Sequence, residues 1–489
     1  MTVEPRRVVP IETATVENSQ TAAAQLLTRS YCTQHDVAPL AYENGILTIG
    51  VIKAAAEERI REVRAITGKR VRVQAMTHDA IRDALAKIYA VADRAKATDV
   101  EDPPAIRERD EIYANAVLER ASDIHIEPTA DGGGRVRLRI DGLLHEDRII
   151  PPALFPRVLA VIRMSTGKGI ASTLRPIDAR MTITVDHRSI DARISSVPLI
   201  AGEKIVIRLL TQHLLVPRLS ELGMSETSLA IYRRALSAPY GAILFVGPTG
   251  CGKTTSLYSS VSEIDRKTRN VCSVEDPVEV RIPDVSQMQI NEAQDLTFAE
   301  ALRVLMRQDP NVLIIGEMRD PETVAAGVSA SLTGQLVLTT LHSSDALRAI
   351  NRLTDLGASR SQIVSAFTLI AAQRLVRRLC ECRREVPIPP ALRDRWRNVF
   401  ERIERPVFGE PVGCPTCRNK GYKGRLGVYE LLPVNDAVSN KILEGVPPTE
   451  LAAVGKEFGY VPMFEAGMEH VFSGETSYEE LVRVVTNDS

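Results

Sequence analysis

The stretch Gly247-Pro248-Thr249-Gly250-Cys251-Gly252-Lys253-Thr254 is a complete G-x-x-x-x-G-K-[ST] loop, and it constrains the chain on both sides. The run before it, Ala242-Ile243-Leu244-Phe245-Val246, is short and wholly apolar, as a buried parallel strand is. The run after it, Thr255 to Asp265, lacks Gly and Pro and continues as a helix. Glycines let backbone N–H groups curl around phosphate oxygens where a side chain would block the approach. The helix N-terminus adds partial positive charge. Lys253 is expected to reach the β- and γ-phosphates and Thr254 to place its hydroxyl on Mg²⁺, with Thr255 closing the cofactor-binding stretch. The chain is therefore expected to bind a nucleoside triphosphate.

At 489 residues there is room for roughly three domains. The charges nearly cancel, 61 basic against 62 acidic, so electrostatics gives no reason to expect a nucleic acid or an anionic membrane as partner. Aromatic residues make up only 4%, which leaves few stacking platforms for single strands. No direct nucleic-acid contact is expected. Met1 to Thr15 lacks the continuous apolar core of an export signal. Thr323 to Ser344 carries no charged side chain apart from His342, but Ser329, Ser331, Thr333, Gln335, Thr339 and Thr340 make it too polar for a lipid-facing helix. It reads as a buried helix, a turn at Gly334 and a buried strand. A cytoplasmic protein is expected, reaching any membrane through partners.

Residues 1–20 read as a flexible arm, polar and aperiodic. Residues 21–92 read as an α+β docking domain, with two strands around an Asn44-Gly45 turn and helical periods at 54–67 and 78–91. Residues 93–109, centred on Asp102-Pro103-Pro104, read as a linker. A second α+β domain spans 110–215, where Arg135-Val136-Arg137-Leu138-Arg139-Ile140 alternates charged and apolar faces, as a strand does. In 216–379, apolar runs at 242–246, 271–274, 311–315 and 336–341 alternate with helical segments. That pattern predicts a parallel sheet covered by helices, a RecA-like α/β core. A Cys-bearing, Gly-rich lobe spans 380–425. Helices fill 426–489, the last opened by a Thr476…Glu479 capping box.

Hydrolysis needs acidic groups near the loop, one on Mg²⁺ and one polarising water. Glu275, in Ser273-Val274-Glu275-Asp276-Pro277-Val278-Glu279, and Glu317, in Leu313-Ile314-Ile315-Gly316-Glu317-Met318-Arg319-Asp320, both follow apolar strands. Ligands of open α/β sheets bind at such strand ends. Glu317 is assigned to the Mg²⁺ shell and Glu275 to the attacking water. His342, just past a further strand, is a candidate sensor of the γ-phosphate or of a neighbouring subunit.

The order of these boxes resembles the secretion-ATPase superfamily, which drives type II secretion, type IV pilus dynamics and type IV secretion. The resemblance extends upstream to Ala121-Ser122-Asp123-Ile124-His125-Ile126-Glu127-Pro128 and Val136 to Gly142. Downstream it extends through Gln373 to Cys380, Gly413 to Cys417 and Gly421 to Arg425, so that it covers residues 30 to 489. The downstream boxes resemble the zinc-containing subgroup of type II secretion and type IV pilus assembly ATPases.

The resemblance implies a homo-hexameric ATP hydrolase using ATP and Mg²⁺ and working against an inner-membrane platform protein. Its N-terminal module would dock to a membrane-anchored partner, and its second domain would swing about residues 214–222. Arg137 and Arg139 would act on nucleotide across the subunit boundary, as arginine fingers do. The alternative within the fold is a nucleic-acid motor or a competence-type DNA uptake ATPase. Seven cysteines in a cytoplasmic chain argue against a disulfide framework. Cys380, Cys382, Cys414 and Cys417 form two close pairs, suited to a structural Zn²⁺ that staples the lobe. The first pair is C-x-C, shorter than the family's C-x-x-C. Three further departures are Arg175-Pro176-Ile177-Asp178-Ala179-Arg180, only part of an R-x-P-Q-D-G-R pattern, Gln335 where relatives often have a His, so that only His342 carries the histidine box, and the lack of the R-L-G-led motif with which some relatives bind cyclic di-GMP.

Overall fold

The computed structural model describes residues 19, 22–24, 26–27, 29–52, 56–95, 103–166, 176–185, 188–210, 216–291 and 296–485. The expected arm, apart from Ser19, lies outside the described residues, as do 96–102 of the expected linker and 211–215, which include the first two residues of the expected hinge. The chain divides into two compact units, residues 1–211 and 212–489.

In the first unit, β1 (Val37–Glu43) and β2 (Ile46–Val51) pair antiparallel around Asn44 and Gly45, whose φ angles are +51° and +74°. Asn and Gly tolerate that left-handed backbone, and the tight turn sets the register. β3 (Arg70–Ala75) joins β2 in parallel after the helix Ala56–Thr67. The linker is shorter than 93–109: one helix runs to Ala95 and the next spans Pro104–Leu118. Proline at a first helical position gives up no hydrogen bond, so Pro104 starts a helix here instead of breaking one.

A six-stranded antiparallel sheet follows, made of β4 (Asp123–Pro128), β5 (Gly134–Ile140), β6 (Leu143–Ile150), β7 (Ile177–Val185), β8 (Arg188–Leu199) and β9 (Gly202–Leu210). Its spatial order is β6-β5-β4-β9-β8-β7. Strand alternation buries Ile124, Ile126, Val136, Leu138, Ile205 and Ile207 on one face. The arginines and acids between them line the other.

The second unit is built on a seven-stranded sheet. Its members are β10 (Gly241–Val246), β11 (Val271–Glu275), β12 (Ser286–Gln289), β13 (Val312–Ile315), β14 (Leu336–Leu341), β15 (Phe367–Leu379) and, beyond a small β16 (Arg384–Val386) and β17 (Phe408–Glu410) pair, β18 (Tyr422–Pro433). The order is β12-β11-β13-β14-β10-β15-β18, parallel except for the last strand. β10, β11, β13 and β14 are the four apolar runs of the sequence. Helices cover both faces, so Leu244 and Val246 enter one core while Ile243 and Phe245 enter the other.

β15 and β18 depart from the sequence reading. The core does not end at 379, because β18 returns to the same sheet. The cysteine lobe is an insertion between the two strands, closed at its base by Cys380 N–H on Gly421 O at 2.9 Å. The last helix, Tyr478–Val484, is capped by Ser477 and not by Thr476. Thr476 instead donates to Arg377 O at 2.8 Å, which leaves capping to its neighbour. The apolar stretch near 323–344 is the helix Pro321–Leu332 followed by β14. No helix among the described residues is long and apolar enough to cross a membrane.

Candidate nucleotide site and cysteine cluster

β10 is buried along its whole length between β14 and β15, and the loop 247–252 leaves from its carboxyl end. A Cβ on Gly247 would come within 2.5 Å of Cys251 Sγ and 2.7 Å of Gln373 O. Gly252 sits at φ +92° as the N-cap of the helix Lys253–Glu263, and a Cβ there would meet Gln373 Nε2 at 2.8 Å. The loop is thus pressed onto the end of β15 so tightly that only glycine fits. Pro248, Thr249 and Gly250 are exposed, Cys251 is buried, Thr254 is half-buried and Thr255 is exposed.

Lys253 Nζ donates to the loop's own carbonyls, Gly247 O at 2.7 Å and Pro248 O at 3.1 Å. Burial lowers its pKa, while the nearby Cys251 thiol and Glu317 carboxylate oppose that shift.

The acids fall into two groups. Asp320 and Asp345 cap helices, accepting from Thr323 N at 2.8 Å and Arg348 N at 2.7 Å. Glu275 and Glu317 do not. Glu275 ends β11 and is only 4% exposed. It accepts from Ser273 Oγ at 2.6 Å, Gln287 Nε2 at 3.1 Å and the hydroxyl of Tyr258, which stands on the helix after the loop. Burial, reinforced by Glu275, pushes the Tyr258 pKa up.

Glu317 follows β13, the strand beside β11; it accepts from Arg319 Nε at 2.7 Å and lies 3.1 Å from His342 Nε2. Arg319 also reaches Asp276 at 3.6 Å. Gly316 explains why no Asp precedes Glu317: a Cβ there would crowd Val274 O at 3.2 Å and Glu275 Cα at 3.3 Å. Glu317 and His342, read as separate boxes, thus form one cluster at adjacent strand tips.

Arg137 and Arg139 belong to the first unit, and both are engaged within it. Arg137 grips Glu127 with two bonds of 2.9 Å, and Lys204 approaches the same carboxylate at 2.8 Å. Burial alone would raise the Glu127 pKa, but the bonds from Arg137 and Lys204 bring it down to about 2. Arg139 lies 3.4 Å from Asp123, which Arg208 also holds at 3.0 Å.

Three residues that buttress the site escaped the sequence reading as supports. Gln373 accepts from Ser256 Oγ at 2.9 Å, and Tyr429 shares that hydroxyl at 2.9 Å. Arg374 lies against the loop. The available signal was a polar residue in a buried apolar run: Gln373 is 1% exposed and Tyr429 is 3% exposed.

The sulfur atoms of Cys380, Cys382, Cys414 and Cys417 all lie within 4.8 Å of one another. Cys380–Cys414, Cys382–Cys417 and Cys414–Cys417 are each separated by 3.8 Å. A tetrahedron with Zn–S bonds of about 2.3 Å has edges of about 3.8 Å. Backbone N–H groups of Cys414, at 3.1 Å, and Gly421, at 3.3 Å, point at Cys417 Sγ, as suits a thiolate. The short C-x-C spacing thus still places both of its sulfurs within the 4.8 Å cluster.

Residues 98–483 match the family described as type II/IV secretion system protein. The chain belongs to that family. A second match, the MshEN domain, covers residues 9–95 and begins inside the stretch read as an arm. The type II secretion system protein HxcR of Pseudomonas aeruginosa is 39% identical over 382 residues, 78% of this chain and 77% of that protein. The type IV pilus assembly ATPase PilB of Myxococcus xanthus is 32% identical over 496 residues, 94% of this chain and 86% of that one. The fold is shared with the Legionella pneumophila ATPase DotB, at TM-score 0.56 and 20% identity over 76% of this chain and 93% of that one. This secretion-family chain is accordingly an ATP hydrolase with a RecA-like fold and a Cys₄ lobe.

Proposed function

We propose that the chain is a cytoplasmic motor of type II secretion or type IV pilus assembly. It would bind Mg²⁺·ATP on residues 247–255, assemble as a hexamer and work at the inner membrane. An inner-membrane platform protein would receive the force, and a membrane-anchored cytoplasmic-domain partner would hold the N-terminal module. The observation that carries this reading is a glycine loop with its lysine facing a carboxylate cluster at adjacent strand tips, in a chain 94% covered by a pilus assembly ATPase.

In this reading Lys253 neutralises the β- and γ-phosphates, and Thr254 holds Mg²⁺, whose charge would draw the reacting phosphoryl oxygens. Glu317, with His342 on one oxygen, would join the Mg²⁺ shell. Glu275 would orient water once Tyr258 releases it. Arg137 and Arg139 would give up Glu127 and Asp123 to meet nucleotide on another copy of the chain. The four cysteines suit Zn²⁺ in a closed, structural site.

The test is phosphate release by the zinc-loaded protein, compared with Glu317→Gln and Glu275→Gln. Loss of turnover with retained ATP binding in both supports the assignment. Full turnover in either removes that residue from it. Turnover that rises severalfold with added DNA would favour a nucleic-acid motor instead.

A further inference from the structure

β15 is 13 residues long and outruns its neighbour β10, whose last paired residue is Val246, opposite Ala372. Gln373 and Arg374 therefore flank the glycine loop instead of a strand. Successive strand residues point to opposite sides. Gln373 turns inward under the loop to Ser256, and Arg374 turns to the loop's open side. A Cβ on Gly247 would lie 3.3 Å from Arg374 Nη1, so the guanidinium rests directly on the first glycine.

What holds Arg374 there is unusual for the region. Its hydrogen-bond partners are two carbonyls, the preceding Gln373 O at 3.0 Å and Ser344 O at 2.5 Å. No carboxylate lies within ion-pair distance of it among the described residues. Neighbouring arginines are neutralised: Arg319 by Glu317, Arg348 by Asp345 and Arg377 by Glu480. Lys253 is also held on carbonyls, and Arg374 is close enough to disfavour its charge. Two cations sharing one glycine cradle, each on neutral acceptors, await a polyanion.

Ser344 gives the contact a second consequence. It lies in the loop between His342 and the helix Ala346–Asp355. The first N–H of that helix bonds Glu430 at 2.9 Å, and the other oxygen of Glu430 takes Met463 N–H at 3.0 Å from the helix Met463–Phe472. The guanidinium is thus a side-chain link, beside the backbone bond from Gly247 N–H to Leu341 O at 3.4 Å, between the glycine loop and a loop anchored to the C-terminal helices.

We propose that Arg374 binds the terminal phosphate of the nucleotide held by its own chain, exchanging the Ser344 carbonyl for a phosphate oxygen. The 342–345 loop is then latched when the terminal phosphate is absent and released when it is present. This rests on the nucleotide-site reading above.

The test compares Mg²⁺·ATPγS and Mg²⁺·ADP binding to full-length zinc-loaded wild type, Arg374→Gln and Arg374→Lys, with melting temperature and zinc content as folding controls. Arg374→Gln should weaken ATPγS about tenfold or more and ADP less than about twofold, the loss expected for one charge-assisted bond to the terminal phosphate. Arg374→Lys should fall between, and it decides alone if the glutamine variant does not fold. Equal weakening of both nucleotides would make Arg374 a support of the loop and overturn the proposal, as would unchanged ATPγS binding. Wild type that binds neither nucleotide would overturn the site reading itself.

Discussion

The two units carry their positive charge in opposite ways. On the six-stranded sheet of the first unit, Arg137 and Lys204 close on Glu127, while Arg139 and Arg208 close on Asp123. At the glycine loop of the second unit, Lys253 and Arg374 rest on carbonyl oxygens. A carbonyl satisfies the donors without cancelling the charge, so the second arrangement stays primed for an anion. The first must break an ion pair before it can do the same. Residue type alone does not separate a waiting cation from an engaged one.

The sharpest way to break this comparison is Lys253→Ala. Removing the waiting ammonium should lower turnover about a hundred- to a thousandfold, with fold and zinc content unchanged. Phosphate release and a thermal melt measure both, and retained turnover would refute the site. The cysteine cluster is the reverse imbalance, four sulfur donors grouped as a cation would need them. Stripping zinc with a strong chelator, or Cys414→Ser, should expose the 380–421 lobe to protease while the glycine loop still binds ATP. Unchanged protection would count against the tetrathiolate.

On the engaged side, Glu127→Gln leaves Arg137 and Lys204 facing each other. It should cost about 2–3 kcal/mol in denaturant melts, below the range of a fully buried pair because the arginine keeps solvent contact. The same pair sets an acid response. Glu127 has a folded pKa of about 2, below its ordinary 4.5, so its contribution is complete above pH 4.5 and is lost as pH falls from 4.5 towards 2. The glutamine variant should flatten that part of the stability curve. Arg139→Ala should do least, about 0–1 kcal/mol, because its pair with Asp123 is long and partly exposed.

Much of the core was legible, and for identifiable reasons. The runs at 242–246, 271–274, 311–315 and 336–341 are buried on both faces and bounded by turns, so they stand out as continuous apolar segments. β15 and β18 do not, because each leaves the core partway and takes up arginines, Gln373, Glu430 and Gly424 as it passes the loop and the lobe. Asn44-Gly45 announced its turn because backbone conformation is a local property. Thr476 and Ser477 are equally good caps locally, and only the bond from Thr476 to the Arg377 carbonyl distinguishes them.

The sequence by itself determined the glycine loop, its strand and helix, the parallel core and the four thiols, since each follows from short spacing or from periodicity along the backbone. Only the tertiary structure decided that Glu317 and His342 share one cluster, that Gln373 and Tyr429 brace the loop, and that Arg137 and Arg139 are paired with carboxylates while Arg374 rests on carbonyls. Those are pairings between residues from 10 to more than 100 positions apart. Coulombic and hydrogen-bond energies depend on distance in space, which a linear order of residues does not carry.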